Sequence, residues 1–459
     1  MKNIVFLLAD DQRYNTIHAL GNSEISTPNF DKLAANGVAF TNAHIMGGTN
    51  GAICMPSRAT LNSGRQLFHL PEEGQSIPRE HITIGEAFQN AGYNTCGIGK
   101  WHNGTESYAR SFTAGANIFF GGMWDHWNVP VCDYHADGVY DKFINYTPNF
   151  FYDNNSTKWN CDRINAGVHS SELMADAAID YITNYDDDKP FYLYTAFLAP
   201  HDPRTMPEKF RNMYNKDDIT LPTNFADRHT IDFGIEGLRD EVLAGYPRTE
   251  AEVRQHIADY YAIISHLDDA VGRIIQAIKD KGELDNTIIV FAADNGLAIG
   301  SHGLMGKQNL YEESVRIPMI ISGGDIPKGV VTDKYACLFD MYPTLCNLCG
   351  VAIPDTVETM DLSPILFGDN AVRDEMYLAY ADSVRGIKSG DYKLIEYRTA
   401  DLSATQLFNL ADDPFEMNSI EDSNVIAGLR ERLCYYRDLY GDAEHRMGNR
   451  FWGRVCFEK

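Results

Sequence analysis

Three short apolar runs in this chain end abruptly in polar clusters. Ile4–Ala9 delivers Asp10-Asp11, Phe191–Leu198 leads through Pro200 to His201, and Thr287–Ala293 delivers Asp294-Asn295-Gly296. A fourth run, Ile317–Ser322, has the same texture. Between such runs lie helical stretches. The longest extends from about Glu250 to Lys281, where Ile257, Tyr261, Ile264, Leu267, Val271, Ile275 and Ile278 mark one apolar face. Thr249 and Glu252 suit a capping box at its start, and Gly282 suits its end. Alternation of this kind predicts an α/β fold, a large mostly parallel sheet covered by helices on both faces. Ligands of open α/β sheets bind beyond the carboxyl ends of the strands, so the three clusters fall where chemistry is expected.

The texture changes near residue 370. Met376–Tyr380, Val384–Lys388, Tyr392–Tyr397 and Thr405–Asn409 read as short strands, punctuated by Gly390-Asp391 and Asp412-Asp413-Pro414. A last helix covers about Val425–Tyr440. The expected division is a catalytic α/β domain over residues 1–370 and a small C-terminal α+β subdomain over 371–459, an antiparallel sheet with a helix. A chain of 459 residues is long enough for both.

The formal net charge of −25 argues against a nucleic-acid partner, which needs a basic face. No apolar stretch is long enough to span a membrane. The apolar start is short and runs into Asp10-Asp11, so it reads as a core strand and not a signal peptide. As written the chain is expected in the cytoplasm, or in the periplasm or medium if a leader has been removed. Nine irregularly spaced cysteines make a poor disulfide framework. Cys346 and Cys349 read as two buried thiols on a helix.

Asp10, Asp11, Asp294 and the amide oxygen of Asn295 make an all-oxygen set that suits Ca²⁺, or Mg²⁺, and not zinc. Adjacent side chains on a strand diverge, so Asp10 and Asp11 converge only if the strand has ended and turned. In Cys54-Met55-Pro56-Ser57-Arg58, Pro56 fits a helix start, and Gly64 fits its end. Cys54 then lies at the helix N-terminus, a place that favours an anion and lowers a thiol pKa. Lys100 and His102 follow Gly99 two apart, so in extended chain they share one face and pair a cation with a neutral-pH base. Lys307 closes a glycine-containing stretch that starts at Ser301.

These residues resemble the sulfatase family of the alkaline-phosphatase-like superfamily. Cys54-x-Pro56-Ser57-Arg58-x-x-Leu61-x-x-Gly64-Arg65 is similar to its first signature, and Gly92-Tyr93-x-Thr95 through Gly99-Lys100-Trp101-His102 to its second. Thr27-Pro28-Asn29, Ala199-Pro200-His201, Asp294-Asn295-Gly296, His302-Gly303 through Lys307, and Gly390-Asp391-Tyr392-Lys393-Leu394 follow in order, so the likeness covers almost the whole chain. It implies that Cys54 is oxidised to Cα-formylglycine by a formylglycine-generating maturation enzyme. One hydroxyl of the aldehyde hydrate would attack sulfur and displace the alcohol; the other would then expel sulfate. The resemblance also implies Asp10, Asp11, Asp294 and Asn295 as Ca²⁺ ligands, and Arg58 as the holder of the hydrate. Lys100 and Lys307 would bind sulfate oxygens. His102 would be the base of the elimination, and His201 the acid for the leaving alcohol. A dication with Arg58, Lys100 and Lys307 outweighs three carboxylates, giving a positive pocket inside an acidic protein.

The expected activity is removal of sulfate from a small-molecule or oligosaccharide sulfate ester, such as a glycosaminoglycan fragment. The alternatives are an aryl or choline sulfatase, a phosphonate or phosphate diester hydrolase of the same superfamily, and a non-catalytic sulfated-glycan binder. Diester hydrolases commonly carry His where this chain has Asn295. Trp124 and His126, in Gly121-Gly122-Met123-Trp124-Asp125-His126, are candidate contacts to a sugar ring and its hydroxyls. The poorly patterned stretch Asp202–Pro247 is a candidate rim or lid.

Overall fold

Asn3–Ala9 (β1) is buried along its whole length, which a strand covered on both faces requires. The computed structural model describes residues 1–148, 152–368 and 373–455. In it β1 lies near the middle of a nine-stranded sheet. The other strands are Gly37–His44 (β2), Asn94–Lys100 (β3), Ala114–Phe119 (β4), Phe191–Ala196 (β5), Thr287–Ala293 (β6), Arg316–Gly323 (β7), Val330–Thr332 (β8) and Ala336–Cys337 (β9). Their order is β8-β2-β7-β6-β1-β5-β3-β4, with β9 also on β2. Pairing is parallel from β6 through β1, β5 and β3 to β4. Only β7 runs against its neighbours β6 and β2. The sheet is therefore mostly parallel, with Ile317–Ser322 on its one reversed strand.

Helices flank the sheet. They include Pro28–Ala35 (α1), Cys54–Ser63 (α2), Ser170–Asn184 (α3), Glu250–Asp280 (α4) and Met341–Cys349 (α5). The apolar stripe of α4 is largely buried against this core. Thr249 accepts the Glu252 amide at its start, so the forward half of the expected capping box forms. The first amides of α1 are capped from a distance: Asp268 of α4 accepts the Asn29 and Phe30 N–H groups at 3.0 and 2.7 Å. Cys346 and Cys349 are free, buried thiols on α5.

The C-terminal part is a sheet of Glu375–Tyr380 (β10), Val384–Ser389 (β11), Tyr392–Arg398 (β12) and Ser403–Asn409 (β13), antiparallel throughout. Ser423–Leu439 (α6) and Arg446–Trp452 (α7) follow it. The expected boundary between residues 370 and 371, like Cys456, lies outside the described residues. The small sheet also takes a piece of the large unit: Gly47–Gly48 pairs in parallel with β10 at Ala379 and Tyr380. Two glycines carry no strand pattern, so sequence periodicity could not reveal this. Buried ion pairs add a second tie. Glu312, just before β7, meets Lys388 at 2.8 Å and Lys393 at 3.1 Å, and Lys393 also meets Glu416 at 2.8 Å.

Candidate functional site

The carboxyl ends of β1, β5 and β6 lie side by side, so the three polar clusters meet at one sheet edge. Asp11 adopts φ +66°, a left-handed turn directly after the strand. That turn swings its carboxylate to the same side as Asp10 and is locked from several directions. The Asp11 N–H donates to Asp294 Oδ1 at 3.1 Å, and Tyr260 of α4 donates its hydroxyl to the Asp11 carbonyl.

All four expected metal-binding residues are fully or almost fully buried. Asp10 Oδ1 and Asn295 Oδ1 have no hydrogen-bond partner. Buried oxygens without partners are costly, and hard oxygen ligands suit a divalent cation. Oxygens of Asp10 and Asp11, with a ring nitrogen of His201, lie within 4.8 Å of one another, as do those of Asp10 and Asp294 with the Cys54 sulfur. Burial pushes Asp10 up despite Lys100, and pushes Asp294 up to about 6. Asp11, also buried, is held well below the usual carboxylate range by Lys307 and His201. Crowded carboxylates of this kind call for positive charge among them.

Positive groups surround the cluster. Lys100, the last residue of β3, pairs with Asp10. Lys307 pairs with Asp11 at 2.5 Å; burial lowers its ammonium, but Asp11 together with Cys54, Asp240 and Asp10 holds it well above its ordinary value. Arg58, on the second turn of α2, donates Nε to Asp294 at 2.7 Å and a terminal nitrogen to the Lys100 carbonyl at 2.7 Å. Cys54 is the first residue of α2, two positions before Pro56, and Gly64 ends the helix at φ +67°. Its sulfur is 3.4 Å from Lys100 Nζ and 3.5 Å from His102 Nδ1.

Two local expectations change. The helix start was expected to lower the Cys54 pKa. Instead burial pushes the thiol up, with Asp10 and Asp294 opposing the lysines. A bare thiol here is a poor nucleophile. Lys100 and His102 also converge by a turn and not by extension, since His102 has φ +69°. Asn103 pins that turn, donating to the Met55 and Gly74 carbonyls at 2.9 and 2.7 Å. Burial first, then Lys100 and Arg58, hold His102 far below its ordinary value, which leaves its ring neutral.

His201 points Nε2 at Asp11 Oδ2, 3.5 Å away, and Nδ1 at the Asp202 carbonyl, 2.9 Å away. Burial lowers its pKa while Asp11 opposes. Beyond it runs a polar rim drawn from the 202–247 stretch. Asp202 accepts Arg239 at 2.8 Å, Arg239 reaches Asp240 at 3.0 Å, and Asp240 accepts Gln308 at 2.7 Å. Glu241, fully buried, accepts the Met305 and Gly306 amides and so fixes the loop that carries Lys307. Asn103, Tyr260, Glu241 and Gln308 were not singled out from sequence. Each acts through partners remote in the chain, and no short motif records that.

The Gly121–Asn128 loop does reach the site. A Cβ on Gly122 would sit 2.9 Å from the His102 ring. Trp124 is half-buried and packs on Tyr146 and Trp159, with ring centroids 4.5 Å away in each case. Asp125 folds back onto Trp127 and Asn128. His126 is corrected outright. It is fully buried, with Nδ1 on Ser170 Oγ at 2.6 Å and Nε2 on the His201 carbonyl at 2.9 Å, and it has no nitrogen left for a sugar hydroxyl.

A mostly parallel sheet whose edge presents buried carboxylates, an arginine, two lysines and two histidines around one small side chain fits a hydrolase of anionic esters, and its acidic cluster is compatible with a divalent cation. Comparison with known proteins narrows this. Residues 2–351 match the family described as Sulfatase, and residues 300–437 match N-sulphoglucosamine sulphohydrolase, C-terminal. An N-acetylglucosamine-6-O-sulfatase of Bacteroides thetaiotaomicron is 26% identical over 91% of this chain and 82% of its own length. Arylsulfatase A of Homo sapiens is 30% identical over 85% of this chain and 74% of its own. A solved structure of a protein in complex with its substrate D-glucosamine-2-N,6-O-disulfate shares the fold, with a TM-score of 0.75, 22% identity, and coverage of 97% and 99% of the two chains. The chain belongs to the sulfatase family, and it is a sulfuric ester hydrolase.

Proposed function

We propose that the protein removes sulfate from a sulfated carbohydrate, with Cys54 acting as formylglycine beside a Ca²⁺ ion held by Asp10, Asp11, Asp294 and Asn295. Mg²⁺ is the other hard cation those ligands suit. The observation that carries the reading is the placement of Cys54. Its side chain stands within 3.5 Å of both Lys100 and His102, beside Asp10 and Asn295, whose Oδ1 atoms are buried without a hydrogen-bond partner. The modification supplies a hydrated aldehyde whose hydroxyl can attack sulfur, and the cation supplies Lewis-acid polarisation.

The chain's own groups then divide the work. Arg58 orients the side chain at position 54 while remaining tied to Asp294. Lys100 and Lys307 bind the sulfate oxygens and stabilise charge that grows on them. His201 gives a proton to the leaving oxygen as its bond to sulfur breaks, the bonding pair staying on that oxygen. His102, held neutral, takes the proton when sulfate is expelled. A formylglycine-generating enzyme is the required maturation partner.

The carbohydrate assignment draws on the N-acetylglucosamine-6-O-sulfatase and the glucosamine-disulfate complex among the similar proteins, and on the rim of Asp202, Arg239, Asp240 and Gln308, whose mixed charges suit hydroxyl groups. We assign the catalytic unit to residues 1–370 and the small unit to 371–459. The test is sulfate release, read by ion chromatography, from N-acetylglucosamine 6-sulfate and related sulfated hexosamines. Wild-type protein matured in the presence of the generating enzyme is expected to release sulfate, and Cys54→Ala none. Release by Cys54→Ala at the wild-type rate contradicts the reading.

A further inference from the structure

The segment carrying His201 leaves β5 and passes over the start of α3, where two histidine rings lie almost parallel. His126 and His169 have centroids 4.9 Å apart and planes 10° apart. Each uses Nε2 on a carbonyl of the catalytic segment. His126 reaches His201 O at 2.9 Å, and His169 reaches Thr205 O at 2.8 Å. Each uses Nδ1 on the first turn of α3: His126 meets Ser170 Oγ at 2.6 Å, and His169 accepts the Ser171 amide at 3.1 Å. The Ser170 amide also donates to the His126 carbonyl at 2.8 Å, so ring and backbone of residue 126 are fixed together.

The partners determine where the protons sit. A carbonyl only accepts, so Nε2 carries the hydrogen on both rings. His169 Nδ1 accepts an N–H and is therefore bare. Burial holds His126 near a pKa of about 4 and His169 lower still, so both remain neutral at working pH. Two neutral rings can stack without repulsion, whereas a proton on Nδ1 of His169 would set two hydrogens against each other at the Ser171 amide. A third ring, His266, backs His169 at 4.5 Å and ties to Glu172 of α3 at 2.9 Å.

We propose that His126 is a positioning residue for His201, with His169 holding the same segment four residues further on. The Nε2–H of His126 fixes the backbone of the residue whose side chain must meet the leaving oxygen. Proton transfer requires heavy atoms within roughly 2.6–3.2 Å, so a small drift of this backbone weakens it. Positioning from behind suits a residue with no solvent access. It also explains why a loop that touches His102 through Gly122 continues inward to His126. This inference rests on the assignment of His201 as the acid, and the experiment separates the two.

The experiment compares kcat for 4-nitrophenyl sulfate and phenyl sulfate, which differ in how much the departing oxygen needs a proton. The ratio of the two rates is internal to each preparation and does not depend on the fraction of protein that is folded. His201→Ala is expected to depress phenyl sulfate about tenfold or more beyond its effect on 4-nitrophenyl sulfate. His126→Asn places an amide near Nδ1 and removes the Nε2 donor, and is expected to shift the ratio in the same direction by a smaller factor. His126→Gln restores a donor near Nε2 and is expected to recover most of the wild-type ratio. If His201→Ala shifts the ratio while His126→Asn slows both esters equally, the positioning role is overturned and the acid assignment stands. If His201→Ala leaves the ratio unchanged, the acid assignment falls and the positioning role with it.

Discussion

Asp10 and Asp11 are neighbours that strand geometry would send to opposite faces, and only the left-handed turn at Asp11 brings them together. The need for such a turn could be argued from two adjacent acids after an apolar run; the hydroxyl of Tyr260 that holds it could not. Asn295 has an equally specific place. Its Nδ2 donates to Asp11 at 2.8 Å, and its Oδ1 is buried without a hydrogen-bond partner beside the same cluster. A cation bound there stabilises the folded state by mass action. Calcium is therefore expected to raise the melting temperature of the wild type, and a chelator to reverse the rise. Asn295→Ala is expected to need at least tenfold more calcium for the same rise, as read by differential scanning fluorimetry. An equal calcium response in the variant would remove Asn295 from the ligand set. His126 shows the limit of residue-level reading. A histidine beside two tryptophans and an aspartate has the composition of a sugar contact, yet burial and two bonded nitrogens give it another task.

At the scale of elements, β3 shows how tightly backbone geometry controls the site. Gly99 has φ +85°, and a Cβ there would lie 2.0 Å from the Ala196 carbonyl of β5. A side chain would have to push apart two paired strands one residue before Lys100. Gly99→Ala is expected to lose about 2–4 kcal/mol of stability, from backbone strain plus the displaced strand, as measured by urea denaturation. Its folded fraction is also expected to show a lower kcat because Lys100 moves. Unchanged stability would mean that the strands part freely here. The sequence marked the strand ends at Ala9, Ala293 and the Phe191 run because three apolar runs ending in polar clusters coincide at one sheet edge, and it marked Gly99-Lys100-Trp101-His102 through the likeness to a sulfatase signature. It did not mark the turn at His102 or the tie from Asn103, because turns made by non-glycine residues are set by distant packing.

At the scale of the molecule, buried charges tie the small sheet to the large unit on one side and to its own C-terminal helices on the other, though a sequence reader assigns such residues to the surface. Lys388, Lys393 and Glu312 are buried together, and Asp442 accepts Arg385 at 2.6 and 2.9 Å, Tyr377 at 2.5 Å and Trp452 at 2.8 Å. Composition predicts exposure for such residues, and only the assembled fold pairs them. Burial alone would raise Asp442, but Arg385 and its other partners hold it below the ordinary 3.8. A depressed carboxylate contributes stability that is present above the unfolded pKa and is lost as pH falls through the folded one. Asp442→Asn is therefore expected to cost about 3–5 kcal/mol near pH 6. Its deficit against wild type is expected to shrink as pH drops below about 3.8, as followed by denaturation at several pH values. A deficit that stays constant with pH would mean that the carboxylate charge contributes nothing.

At position 54 burial disfavours a thiolate, while Lys100 and His102 stand within reach of whatever that side chain becomes. The most direct measurement is the mass of the peptide containing Cys54, taken on protein matured with the generating enzyme and assayed for sulfate release from the same preparation. Oxidation of the thiol to the aldehyde is expected to lower the peptide mass by about 18 Da, with sulfate release rising in proportion to the converted fraction. Full hydrolytic activity from protein whose Cys54 remains a thiol would contradict the account.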